Sequence, residues 1–406
     1  MSRHQPVGGS VRPGWEAVRD AFAHGQAHDP GAAQLAVHHR GRLVVDLWSE
    51  GPATRAGTRF GPESVSVLMS VSKGLTAVCA HLLSQRGTLD LHAPVARYWP
   101  RFAAGGKADT TVADLLAHRA GLPAFTDEAG GVRLPGLLDA EARVRALAAM
   151  RPVWEPGTAF LYHPLTQGHL IGEVVRRVTG ASIGAFLARE VAAPLGLDLW
   201  IGLPQREERR FVPQSAVRPA PTPGQVAAAI GRLGLAPDDR LATALGASAA
   251  ELTAATEAFG TRRGRAAEFP AAGGIGNARS LSRLYAALIG PVGGVRLLSD
   301  AAVDRARAPH TDHLPPPAPL HRLDGPDRSR FGLGFELPRP GNPLLGEGSF
   351  GHAGAGGRLG MAHPESGLAV GYVCTAMSWD PAAGPDPRWT GWTAAVRQAA
   401  GVTGTG

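Results

Sequence analysis

Lysine is almost missing from this sequence: of the 41 basic residues in 406, only Lys73 and Lys107 are not arginine. Cysteine is as scarce, with Cys79 and Cys374 alone, which excludes a disulfide-built scaffold. Both thiols read as packed and free, Cys79 on the inner face of a helix and Cys374 within an apolar strand, with their pairing left open. No run approaches the roughly 18 uninterrupted apolar residues of a spanning helix, so no membrane span is expected. Residues 1–16 hold no apolar stretch ahead of a small-residue cleavage site, and the expected location is the cytoplasm.

A formal charge of +7 does not point to nucleic acid, because the arginines are scattered and the group Arg206 to Arg210 is interrupted by Glu207 and Glu208. No basic tract alternates with stacking aromatics. With 44% apolar and 18% charged residues, the chain has the make-up of a folded, enzyme-sized protein. Apolar spacing predicts a helix over 14–27, strands over 34–38 and 43–48 joined by a turn at 39–42, and a helix over 71–85. The middle reads as helices over 137–150, 167–179, 183–193, 224–233, 249–258 and 279–289, without a series of strands. The Pro-rich stretch 313–320 reads as a surface connector, and strands return over 331–337, 354–362 and 368–377 before a helix from about Arg388.

Strands at both ends around a helical middle imply an α+β fold, in which N- and C-terminal strands share one antiparallel sheet flanked by helices and interrupted by a large all-α insertion. The corresponding division is 1–90 with 326–406 as the sheet domain and 91–325 as the inserted helical domain, with the active site at their junction. Gly274-Ile275-Gly276 lacks the third glycine of a dinucleotide fingerprint, and no cofactor is implied.

Ser70-Val71-Ser72-Lys73 opens the helix over 71–85. Residues three apart share a helical face, so the Ser70 hydroxyl and the Lys73 amine can meet. Serine attacks a carbonyl only if a neighbour takes its proton, and a desolvated lysine can do so or can hold a neighbouring phenolate. Arginine cannot, so a chain that has otherwise exchanged lysine for arginine must keep Lys73 where titration is needed. Lys107, in a Gly105-Gly106 turn, reads as an exposed loop residue. Tyr162 lies in a Pro/Gly-rich loop before a helix, and beside a cationic lysine its phenol is expected to ionise and serve as a base. His352-Ala353-Gly354 enters a late strand whose small residues let a substrate approach the backbone.

Together these motifs resemble the serine β-lactamase and penicillin-recognising hydrolase superfamily, in its class C-like branch with family VIII carboxylesterases, D-aminopeptidases and acyl-transferring relatives. The stretches Leu115 to Pro123, Pro156-Gly157-Thr158 and Phe331 to Phe335 add to the likeness, which spans about 14–400. The resemblance implies a β-lactamase/transpeptidase-like fold, Ser70 as acylated nucleophile, and Lys73 with Tyr162 as acid and base. It further implies an oxyanion hole from the N–H groups of Ser70 and Ala355, and substrate contacts at His352, Gly354 and Pro164.

Two positions depart from the pattern. Pro164 stands where an asparagine amide grips acylamino substrates, and His352 where a lysine meets a substrate carboxylate. Both changes favour an uncharged ester, so the expected activity is hydrolysis of small carboxylic esters. Alternatives are acyl transfer to a natural-product alcohol, with stretch 203–270 walling the site, β-lactamase or D-aminopeptidase activity, and an inactive scaffold. Gly180-Ala181-Ser182-Ile183-Gly184 mimics a nucleophile elbow but lies between helices, where Gly180 reads as a C-terminal cap and Ser182 as an N-cap. His310 and His313 beside the Pro-rich stretch have no third ligand in view, and no metal is expected.

Overall fold

The computed structural model describes residues 7–27, 29–51, 59–126, 136, 138–216, 221–320, 324–377 and 385–402. The strands are β1 (Val7–Val11), β2 (Ala33–His39), β3 (Arg42–Ser49), β4 (Ser66–Val67), β5 (Leu199–Ile201), β6 (Ser215–Ala216), β7 (Gly274–Gly276), β8 (Phe350–Gly354), β9 (Arg358–His363), β10 (Leu368–Cys374) and β11 (Ala376–Met377). The helices are α1 (Glu16–Gln26), α2 (Ser72–Gln85), α3 (Val112–Leu116), α4 (Ala140–Ala149), α5 (Thr166–Thr179), α6 (Ile183–Leu187), α7 (Ala193–Leu195), α8 (Pro223–Arg232), α9 (Arg240–Ala258), α10 (Arg262–Ala266), α11 (Ala278–Ile289), α12 (Asp300–Arg307) and α13 (Pro387–Ala399).

Six strands make one antiparallel sheet in the order β1-β3-β2-β10-β9-β8. N- and C-terminal segments meet at the β2–β10 seam, where Val37 lies opposite Val370, so the sheet is shared by the two ends as the apolar pattern implies. β10 is buried on both faces: Leu368, Val370, Tyr372 and Cys374 enter one core, Ala369 and Val373 the other. That is why it reads as a continuous apolar run rather than an alternating one. On the first face α1 lays Val18 and Phe22, and α13 lays Trp389, Trp392 and Val396, at helical spacing. On the second face α11 comes close because Gly360 and Gly371 carry no side chain. A Cβ on Gly371 would lie 2.3 Å from the Ala278 carbonyl oxygen. α2 packs behind through Leu75, Val78 and Leu82, and Cys79 and Cys374 are both buried free thiols.

Several local expectations change. The strand expected over 354–362 is a hairpin: Gly357 N–H donates to the Gly354 carbonyl, and Gly356 and Gly357 take φ of +80° and +102°. Side-chain-bearing residues resist that backbone, so the glycines turn the chain between β8 and β9. Residues 331–337 fold into a tight loop closed by Gly332 N–H on the Phe335 carbonyl, and only bridge pairs form there. The helical middle contributes β5 and β7 to a small sheet with β4. The Pro-rich stretch is half buried, with Leu314 and Leu320 in apolar clusters and the Pro315 carbonyl accepting from Phe160 N–H. Asp312, between the two histidines of that region, pairs with Arg330.

Lys107 is the largest reversal. It is fully buried, its ammonium donating to the carbonyls of Ala104, Ala148 and Met150. The last two belong to the C-terminus of α4, whose carbonyls have no intrahelical partners. A cation there also meets the negative end of the helix dipole. The reading of an exposed loop residue failed because nothing local in Gly-Gly-Lys reveals a helix end folded over it.

Candidate active site

β4 delivers the chain to a 3-10 turn, Met69–Val71, that runs into α2. Met69 has φ +51°, a left-handed conformation costing a side-chain-bearing residue about 1–2 kcal/mol. It is held by the Ser72 hydroxyl, which donates to the Met69 carbonyl at 2.5 Å and accepts from Gly274 N–H at 2.8 Å. The turn leaves Ser70 half exposed at the start of α2 while its neighbours are buried.

One helical turn on, Lys73 is fully buried. Its Nζ stands 2.6 Å from the Pro164 carbonyl oxygen, 3.0 Å from that of Ala271 and 3.2 Å from Ser70 Oγ. Burial pulls its pKa down to about 7, against the Glu336 carboxylate, which raises it. A neutral amine has two N–H bonds and one lone pair. The two carbonyls take the hydrogens, and the lone pair is left facing the serine hydroxyl.

Tyr162 completes the cluster by hydrogen bonding to Ser70, and its ring centroid lies 4.9 Å from Lys73 Nζ. Contrary to the expectation of a phenolate, burial pushes its pKa up, assisted by Glu336. The phenol keeps its proton because taking charge out of water costs more than a near-neutral amine returns. Its loop is anchored on His118, whose φ is +60°. His163 N–H donates to His118 Nδ1 at 3.1 Å, and Leu122 N–H donates to His163 Nε2 at 3.0 Å. Both imidazoles are therefore neutral, in agreement with their lowered pKa values, which burial causes.

Gly354 ends β8 against the serine turn, where a Cβ would lie 2.6 Å from the Leu68 carbonyl oxygen. That contact brings the following residue, Ala355, into the apolar cluster that holds Met69, the neighbour of Ser70. The turn 355–357 is clamped from below: Arg388 Nη2 donates to the Gly356 carbonyl at 2.6 Å, Trp389 Nε1 to that of Gly357 at 2.9 Å and Arg358 Nη1 to that of Ala355 at 2.9 Å. Arg388 is buried between Asp386 and Asp29. His352 is buried, with Nδ1 2.6 Å from the Ala353 carbonyl oxygen. Burial, and then Lys73, pull its pKa to about 3, so it is neutral. Glu336, 3.6 Å away, is pushed up to about 7, chiefly by burial.

The structure thus gathers Ser70, Lys73, Tyr162, Pro164, His352, Gly354 and Ala355 in one place. Ser182 is elsewhere: it caps α6 by accepting from Ala185 N–H, donates to Glu268, and follows the left-handed C-cap Gly180 of α5. Glu336, His118 and Arg388 were missed. Glu336 is the only charge in the run 331–337, and His118 lies in the stretch Leu115 to Pro123 that adds to the likeness, signals available in the sequence, whereas nothing local marks Arg388.

The sequence profile of the Beta-lactamase family matches residues 18–391, nearly the whole chain and all of this cluster. The chain belongs to the beta-lactamase family. Its family relatives include "Esterase/beta-lactamase LipL" of Mycobacterium tuberculosis, 35% identical over 90% of this chain and 82% of that protein. Among solved structures, a family VIII carboxylesterase superposes with a TM-score of 0.82 at 31% identity, covering 97% of this chain and all of the other. A penicillin-binding protein homolog from Caulobacter crescentus gives 0.77 at 31% identity, over 97% of this chain and 100% of its own. This beta-lactamase-family chain is a serine hydrolase with the mixed α+β fold of those neighbours. Among the described residues no helix is long and apolar enough to cross a membrane.

Proposed function

We propose that the protein is a carboxylesterase acting on small carboxylic esters through an acyl-Ser70 intermediate. The observation that carries this reading is the placement of Lys73 Nζ, with two carbonyls for its hydrogens and Ser70 Oγ at 3.2 Å for its lone pair. Lys73 takes the hydroxyl proton as Ser70 Oγ bonds to the ester carbon. The carbonyl oxygen becomes an oxyanion facing the N–H groups of Ala355 and Ser70. As the C–O bond to the alcohol breaks, Tyr162 gives its proton to the leaving oxygen, and the Lys73 ammonium reprotonates the phenolate. In the second half, water loses a proton to Lys73, attacks the acyl carbon, and Ser70 leaves with that proton. No cofactor enters this cycle, and the partner is a small ester.

An ester is favoured over a β-lactam or peptide by Pro164, which offers no side-chain amide, and by neutral His352, which offers no cation to a substrate carboxylate. The names of LipL and of the family VIII neighbour support the same class. A fluorophosphonate probe tests the nucleophile: one adduct is expected, on the peptide carrying Ser70, and an adduct on Ser182 overturns the assignment.

The amine also fixes the pH profile. With Lys73 at about 7 in the free enzyme, kcat/KM for an uncharged ester is expected to rise with pH through about 7 and then level off, since Tyr162 titrates far higher. Glu336 raises the Lys73 value, so Glu336→Gln is expected to move the rise to lower pH. Disappearance of the rise in that variant assigns it to the carboxylate instead.

A further inference from the structure

β8 is the free edge of the six-stranded sheet, beside the serine turn. An exposed edge ordinarily offers N–H and C=O groups to an extended peptide. Gly351 points both its groups outward, to the backbone N–H and C=O of Glu336. Alternate residues of a strand share that direction, so Ala353 does likewise, and Ala355 follows in the turn beyond the strand. Ala353 N–H donates to Glu336 Oε2 at 3.0 Å, and the Ala353 carbonyl accepts from His352 Nδ1. The Ala355 carbonyl accepts from Arg358. Of the backbone N–H and C=O groups of these three residues, the one with no partner among the described residues is Ala355 N–H, the oxyanion donor of the proposed cycle. The edge is closed by the chain itself.

Glu336 does more than close it. Its Oε2 receives Ala353 N–H and Asn342 Nδ2, whereas Oε1 has no hydrogen bond among the described residues and faces the neutral His352 at 3.6 Å. The Glu336 side chain is 21% exposed. Arg339, the nearby arginine that acts on it, is itself paired with Asp327. His352 lies 6.1 Å, centroid to centroid, from the Tyr162 ring. Tyr162 is the proton donor to the departing alcohol, so this pair lies on the leaving-group side.

We propose that Glu336, with His352, forms a leaving-group subsite for esters whose alcohol carries a hydroxyl or a cation, and that it excludes alcohols bearing a carboxylate and leaving groups that continue as a peptide. An incoming amide carbonyl must displace a charge-assisted hydrogen bond to reach Ala353 N–H, and an incoming carboxylate meets a like charge. A donor group instead finds an open acceptor in Oε1. The inference rests on the esterase reading above and adds to it the chemistry of the alcohol.

The test uses three phenyl butyrates with meta hydroxymethyl, aminomethyl and carboxymethyl groups, chosen because the insulating methylene keeps the phenols similar as leaving groups. At pH 8, where Glu336 is mainly ionised, kcat/KM for the first two is expected to exceed that for the carboxymethyl ester at least tenfold. Glu336→Gln is expected to narrow the spread to about twofold, and Glu336→Asp, which keeps the charge, to restore part of it. Equal rates for the three esters in the wild type, or an unchanged ranking in Glu336→Gln, overturn the subsite while leaving the esterase intact. The wild-type ranking needs no variant to fold. Absence of Ser70-dependent turnover with all three overturns the esterase reading, and the subsite falls with it.

Discussion

Ser70→Ala and Lys73→Arg are each expected to lower kcat for p-nitrophenyl butyrate by about a thousandfold or more, with the double variant no worse than either single change. In the proposed cycle Ser70→Ala removes the atom that carries the acyl group, and only the oxyanion donors and binding would remain to assist water. Lys73→Arg keeps a positive charge but loses the base. A guanidinium does not give up its proton in a protein, and its planar fork does not fit a buried niche made for two carbonyls and one lone pair. Because both residues serve one proton transfer, their losses do not add. Steady-state rates, with intact mass to detect acyl-enzyme, provide the measurement. Retention of more than a tenth of kcat in Lys73→Arg would remove the amine as base and return that role to Tyr162.

Lys107→Met is expected to destabilise the fold by about 3–5 kcal/mol, since each buried carbonyl left without a donor costs about 1–3 kcal/mol. Three carbonyls lose their common donor, two of them at the end of α4. The thioether fills the volume of the stem but supplies no hydrogens. For a chain of 406 residues that corresponds to a melting temperature lower by about 4–6 °C. Lys107→Arg is not expected to rescue it, since three carbonyls converging on one point suit an ammonium and not a fork. Thermal and urea unfolding followed by circular dichroism decide the matter, with kcat of the folded protein unchanged. A shift below 2 °C in Lys107→Met would mean that water satisfies the carbonyls.

The two lysines also show how far the sequence could be read. Their survival among arginines marked a chemical need, and Lys73 lies where the expected one would place it, buried beside Ser70. Lys107 met a different need, a compact triple donor, which becomes visible only when a distant helix end folds over it. The sheet was legible because β2, β3 and β10 carry long apolar runs, and the seam followed from placing such runs at both ends. The β8–β9 hairpin and the loop at 331–337 were misread because apolar residues on either side of glycines look like one strand, and the glycines at 354, 356 and 357 were not weighed as a turn. Ser70, Lys73 and Tyr162 were legible as residue types at telling spacings, and the structure brings them together. The protonation of Tyr162 was not legible, because it depends on burial and on Glu336, a residue placed beside the site by tertiary contacts alone.

Arg388 and Asp29 are 359 positions apart, yet their pairing fixes the guanidinium that holds the Gly356 carbonyl. The turn bearing Ala355 thus acquires its floor only once α13 has been synthesised and has docked beside α1. A ribosome-bound chain that already carries Ser70 in the turn before α2 still lacks that floor. The serine turn is made early and the turn that faces it is fixed late, once the chain has closed around its own C-terminal helix.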